Sequence, residues 1–485
     1  MTEDTIELRR IDWCATFPFV RLFRSARRAI AFWPMVLALA AVVLGYLTGR
    51  IFDGVWVATG NGIARVETIS SAAPPATELT AYLAGGDVLR RYTEGLDDLP
   101  AETSRQGPYI TLVEHLERCF AMALHGLVRG QWSLGDGGPS LLGGVLSAAG
   151  GLLWLVHMHP WYALIVGALH LLIFAFFGGA ICRAAAILIT RRHTPDGAEL
   201  FSFAREKWID LMAAPLFLIG LFAVVSVLLL LGGLVGAIPW VGEILVALAY
   251  GLALLGGVAL VFAAVALVFG FHLMWPTIAV EGSDLFDAVQ RSAGYVFQRA
   301  WSFGFYCLAL LAYGGVSLIA VRGLALLLLK FTHTATGLGI NFFGALRSSG
   351  DEAVRKLDGM WSMPAWADMS LLPSLTPGHA FWGSFDRVAE LSGSEQFAQW
   401  LLMCWVFLVV GFVAAFVVSF YFCGCTEMYL VLRKETDGVD YDEMFYEEYD
   451  EDEFDDPTDD QSSEPTGGAK LPVVGDGADR GDSSS

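Results

Sequence analysis

Six long apolar runs punctuate the chain, at residues 31–49, 161–189, 209–236, 243–275, 301–329 and 399–432. At ~1.5 Å of rise per residue, the later five exceed a ~30 Å hydrocarbon core, so as helices they tilt, bend or project. The pattern changes character between the fourth and fifth runs, in the stretch Met274–Trp301, MWPTIAVEGSDLFDAVQRSAGYVFQRAW. Pro276 predicts a break, and Gly282-Ser283-Asp284 predicts a turn followed by a helix N-cap. Beyond it Leu285, Phe286, Val289, Ala293, Val296 and Phe297 share one face. Asp284, Asp287, Gln290, Arg291, Gln298 and Arg299 share the other, with Asp287 and Arg291 at i,i+4. That alternation predicts a helix lying on a membrane surface or on neighbouring spans. A weaker copy stands at Gly197-Ala198-Glu199-Leu200-Phe201 and a third trace at Gly438-Val439-Asp440-Tyr441, each just after an apolar run.

A seventh stretch, 141–158, approaches the length of a span but carries four glycines and ends in His-Met-His-Pro. Residues 50–140 are mixed in charge, with helical periodicity between Tyr109 and Trp132. Residues 330–398 are rich in Phe, Trp and Met; Trp361, Trp366, Phe381 and Trp382 predict a lid at the outer interface, where aromatic rings are stable. Residues 1–30 interleave Arg9, Arg10, Arg21, Arg24, Arg27 and Arg28 with aromatic residues, which suits an interfacial segment on an anionic leaflet.

Composition agrees with a membrane protein: 55% of residues are hydrophobic and only 16% charged. The net charge of −20 is misleading, because residues 435–485 hold nineteen acids and two bases, leaving −3 for everything before them. This end predicts a largely disordered acidic tail. No basic domain stands out, which argues against nucleic-acid binding. Arginine and lysine give the orientation. Arg191 and Arg192, Arg205 and Lys207, Arg291 and Arg299, and Arg433 and Lys434 all fall on the side of the N-terminal arginines when six spans are drawn. Counting 141–158 as a seventh would send one cluster outward, so that stretch is assigned to an interfacial or re-entrant helix. The expectation is an all-α, polytopic bundle of about six spans at 31–434, with both termini cytoplasmic, outer segments at 50–160 and 330–398, and amphipathic cytoplasmic surface helices.

Candidate chemistry is sparse. His170 lies near mid-membrane, where a polar group is either a proton or ligand site or a histidine bonded to a neighbouring helix. His157 and His159 lack a completing cysteine or carboxylate, and Cys423-Gly424-Cys425 is explained by small residues at a span end, so no metal or other cofactor is implied. No Walker loop, GxSxG elbow, HExxH or Cys-x-x-Cys motif is present. Ser283 is read as part of a cap, not a nucleophile. Two sets of charges at span ends either pair and fix helix order or snorkel separately to water: Arg183 with Glu427 at the cytoplasmic ends of their spans, and Glu243 with Arg322 at the outer ends.

The strings GGAICRAAA (178–186), EGSDLFDAVQRSAGYVFQRAW (281–301) and YLVLRKETDGVDYDEMF (429–445) resemble an uncharacterised family of bacterial multi-pass inner-membrane proteins, over a stretch from near Trp13 to near Phe445. The resemblance implies an inner-membrane location and carries no established activity, cofactor or catalytic residue. The residues themselves favour a non-enzymatic scaffold that contacts membrane lipid and offers its cytoplasmic face or acidic tail to a protein partner. The alternative is a transporter or channel-like protein with a site near His170.

Overall fold

The computed structural model describes residues 17–64, 77–96, 105–133, 139–347, 356–366, 369 and 393–445. The chain divides into two units, Met1–Phe445 and Tyr446–Ser485. The second lies outside the described residues, and with it most of the expected disordered tail. The described part is helical apart from one two-residue antiparallel ladder, β1 (Ile63–Ala64) with β2 (Arg105–Gln106).

A 3-10 turn at Pro18–Arg24 leads into the short helix α1 (Ser25–Ala29) and, after a kink, into α2 (Phe32–Ala58). Two small helices follow, α3 (Glu78–Ala84) and α4 (Gly86–Leu96). Next come α5 (Pro108–Arg129) and α6 (Leu141–Met158). The long helices α7 (Pro160–Thr190) and α8 (Gly197–Gly236) come after them. Then α9 (Val241–Val265) passes through a wide π segment at Ala266–Gly270 into α10 (Phe271–Glu281). The surface helix α11 (Leu285–Gln298), the long α12 (Ala300–Arg347), the short α13 (Lys356–Met360) and α14 (Gly393–Asp437) complete the order. Among the described residues seven helical stretches are long and apolar enough to cross a membrane: α2, α6, α7, α8, α9 with α10, α12 and α14.

Helix α6 is the one beyond the six expected, and its place in the fold explains it. It packs antiparallel on α5 through small residues: Gly126 lies against the backbone of Ser140 and Leu141, and Gly144 against Cys119 and Ala123. The open ends of this hairpin meet at one end of the bundle. Asp53 of α2 accepts hydrogen bonds from the Tyr109 and Ile110 amides at the start of α5. His159, just past α6, stacks edge-on against Trp56. The hairpin leaves and returns to the same end, so α6 does not reverse the direction of the helices after it.

The core is built from α1, α2, α7, α8, α10 and α14, whose facing residues are small: Ala180, Ala184 and Ala185 of α7 are fully buried, as are Ala38 and Ala415. Small side chains let backbones approach closely where lipid is as apolar as the helix surface. Gly178 shows the limit, since a Cβ there would meet the Phe422 and Trp275 rings at 2.6 and 2.9 Å. By contrast Gly232, Gly233 and Gly257 face open space on a hairpin of α8 and α9 that is exposed over most of its length; Leu248 is 83% exposed. Of the paired glycines on this hairpin only Gly256 approaches a neighbour, the Leu229 side chain, where a Cβ would lie 3.0 Å away.

Two sequence expectations need correction here. Pro276 does not interrupt the chain: it sits inside α10. An internal proline costs ~3 kcal/mol, and buried packing on both sides offsets it. The Trp275 indole donates to the Leu211 carbonyl at 2.7 Å, and residues 273–280 are buried without exception. Nor do the three Gly-rich traces make three surface helices. Gly197 begins α8, which continues straight into the apolar run, and Gly438 ends α14 with φ 74°. Only the 282–286 copy yields a separate helix.

Candidate functional site at the basic end of the bundle

The basic clusters converge on one end of the bundle, and so do its densest polar contacts. Asp284 is the N-cap of α11, its carboxylate accepting from the Asp287 amide at 2.9 Å. Ser283, expected to share the cap, leaves its Oγ buried with no partner. Asp287 pairs with Arg291 at 2.8 Å, as the i,i+4 spacing predicts. That pairing raises the Arg291 pKa, but the group is exposed enough that its stabilising effect is small. Gly282, in the left-handed region at φ 65°, ends α10 and turns the chain into α11.

Glu281, the last residue of α10, is the hub. Its carboxylate accepts from Arg433 Nε at 2.8 Å and from the Tyr429 hydroxyl at 3.0 Å, with Arg291 3.8 Å away. Tyr295 of α11 bonds Asp437, and Arg299 donates to the Glu435 carbonyl at 2.8 Å. The surface helix is thus clamped to the ends of α10 and α14.

Residues 438–445 close over this network as a strap. The Phe445 amide donates to the Val280 carbonyl at 2.9 Å, and its ring covers Gly282. Arg433 donates to the Glu443 carbonyl at 2.8 Å, Met444 packs on the core, and the Arg21 guanidinium lies 3.4 Å from the centre of the Tyr441 ring. The compact unit therefore runs to Phe445, past Lys434, where the sequence reading ends the membrane domain. Truncation after Lys434 is expected to lower the melting midpoint of the detergent-purified chain by about 1–3 °C relative to truncation after Phe445, since strap contacts worth one or two kcal/mol shift the Tm of a chain this long on that scale. Equal midpoints in a thermal scan would remove the strap from the fold.

The two candidate charge pairs are replaced by other contacts. Arg183 donates to the Ala279 and Phe445 carbonyls at 3.0 Å each and lies over the Phe203 ring, while Glu427 is held by Arg28. Arg322 donates to the Trp366 carbonyl at 2.9 Å and stacks over that indole, whereas Glu243 is exposed at the start of α9. Of the aromatic residues expected to form a lid, Trp361 is buried and Trp366 is 45% exposed; Phe381 and Trp382 lie outside the described residues.

His170 turns Nδ1 to the Val166 carbonyl of its own helix at 2.8 Å, between the rings of Tyr109 and Phe174, and its Nε2 is buried without a partner. His272 bonds the Tyr421 hydroxyl at 2.7 Å. Among the described residues no group of three or more His, Cys, Asp or Glu side chains is placed to hold a metal ion. Sequence reasoning missed Asp53, which accepts from the Tyr162 hydroxyl at 2.7 Å as well as capping α5. Its only signal was an acid near the end of an apolar run.

The fold and its apolar surface define a polytopic α-helical membrane protein. The chain matches no family model, no curated protein and no solved structure.

Proposed function

We propose that this is a non-enzymatic protein of the bacterial inner membrane, related to the uncharacterised multi-pass family it resembles. In this reading it crosses six times, with α5 and α6 as an outer re-entrant or interfacial hairpin and both termini in the cytoplasm. Its basic end serves as a platform for a protein partner. The observation that carries the platform reading is the clamped surface helix. Helix α11 is fixed by Glu281, Asp437 and Glu435, yet Gln290 and Gln298 on its polar side stay exposed. A rigid helix with an unoccupied polar row loses little entropy on docking.

Photo-crosslinking side chains placed at Gln290 and Gln298 in cells should capture a discrete protein adduct. Membrane-impermeant thiol reagents should label Thr93→Cys on α4 from outside and leave Gln290→Cys untouched. Lipid-only adducts would end the platform reading, and labelling of residue 290 from outside would end the topology. A second reading, a transporter with a site at His170, is favoured by the unpartnered Nε2 of that side chain. Uptake or efflux abolished by His170→Phe in a chain that still folds would turn the assignment to it.

A further inference from the structure

Five arginines, Arg21, Arg24, Arg27, Arg28 and Arg192, line one cavity of about 680 Å³ at the basic end, with Ala31, Leu188 and Ile189 completing its wall. Local structure brings them together. Arg21, Arg24, Arg27 and Arg28 recur at intervals of three and four through the 3-10 turn and α1, which places them on one side. The opposite side is buried: Leu22 is 1% exposed and Ala29 fully covered. Ser25 locks the turn by donating to the Leu22 carbonyl at 2.7 Å, and Ser419 of α14 fixes α1 by donating to the Ala29 carbonyl at 2.8 Å. Arg192 reaches the cavity from the end of α7 with φ 58°, a left-handed conformation that a non-glycine residue adopts at a cost.

The charge is compensated only in part at Arg21, Arg27 and Arg192. Glu427 pairs with Arg28, and Arg21 rests on the Tyr441 ring with its Nε buried and unbonded. The guanidinium groups of Arg27 and Arg192 make no hydrogen bond or ion pair among the described residues, the Arg192 amide alone donating to the Ile187 carbonyl at 3.2 Å. Burial, and after it the like charges of Arg24, Arg21 and Arg27, press the Arg28 pKa down to about 10, which still leaves it charged at neutral pH. A concave cluster of fixed like charges is costly unless an anion occupies it, and guanidinium forks match phosphate oxygens in bidentate fashion. The wall is equally informative. Ala31, Leu188 and Ile189 are apolar, and beside them Ile30 and Phe32, at the start of the first apolar helix, are 57% and 70% exposed. Charge therefore meets an apolar surface where headgroups give way to acyl chains.

We propose that this arginine cavity binds the phosphate headgroup of an anionic phospholipid from the adjoining leaflet, its acyl chains running along Ile30, Phe32 and the outer side of α2. A soluble phosphate would satisfy the guanidinium groups but leave the apolar wall unused. The site needs only the membrane location of the chain and is independent of any protein partner.

Native mass spectrometry of the full chain in detergent tests it, by titration with cardiolipin, phosphatidylglycerol, phosphatidylcholine or inorganic phosphate. Cardiolipin and phosphatidylglycerol should bind at least tenfold more tightly than phosphatidylcholine. Arg27→Gln/Arg192→Gln should lose at least tenfold in affinity for both, while Arg205→Gln/Lys207→Gln, basic residues outside the cavity, should bind as the parent chain does. The melting midpoint without lipid should stay level or rise in the cavity variant, because repulsion is relieved. Equal loss in both double variants, or undiminished binding in the cavity variant, would overturn the site. A lowered lipid-free midpoint would make the arginines structural. Displacement of lipid by inorganic phosphate at comparable concentration would make this a free-anion site and overturn the lipid assignment.

Discussion

Replacing Glu281 by leucine should destabilise the bundle by about 3–5 kcal/mol, the usual cost of removing one partner from a buried ion pair. Arg433 is 7% exposed in its side chain and Glu281 17%, so water screens the pair little, and the loss leaves the guanidinium with the Glu443 carbonyl in its place. The Tyr429 hydroxyl loses its acceptor as well. Because most of the cost comes from the stranded charge, Glu281→Leu/Arg433→Leu should recover more than half of it. Chemical denaturation in a fixed detergent measures both. Purely additive losses would show that the two side chains do not act as a pair, leaving the strap and surface helix to their other contacts, such as the Phe445 amide on the Val280 carbonyl and Arg299 on the Glu435 carbonyl.

The second large effect is expected at the opposite end. Asp53→Ala removes an acceptor shared by the Tyr109 and Ile110 amides and the Tyr162 hydroxyl, at 2.9, 3.0 and 2.7 Å. Helix α5 has glycine at its N-cap and no cap from its own sequence, so those amides have no substitute. Hydrogen bonds to a charged group are worth ~1.5–3 kcal/mol each, and stranded donors add to the loss, so about 3–5 kcal/mol is expected, with Asp53→Asn losing less. Hydrogen exchange should show the first turn of α5 opening while α10 and α14 stay protected. Uniform loss of protection across the chain would mean that Asp53 supports the whole bundle and does not act as a local cap.

What the sequence made legible was what repeats locally. Apolar length located the spans, and the i,i+4 pair with a preceding Gly-Ser-Asp located α11 to within a residue of its observed start. Charge pairing was not legible, because it depends on which helices are neighbours. Arg183 and Glu427 sit at the same end, but Glu427 is taken by Arg28, almost the whole chain away, and Arg183 is used on carbonyls. Pro276 misled for a related reason: local propensity argues for a break, and burial on every side overrides it. The strap was hidden because 438–445 has no period. Its signal is the aromatic residues Tyr441 and Phe445 set among acids, with nothing local to say what they dock on.

The closeness of α2 and α7 at the end away from the arginines has a consequence for ancestry. Trp56 already touches His159, and Asp53 already holds Tyr162. The ladder, the small helices and the α5–α6 hairpin between them form a detour with both feet in one place. Such a segment can be gained, lost or exchanged in descent without inverting a single helix that follows, so chains sharing this bundle can differ widely in length here and still thread the bilayer alike.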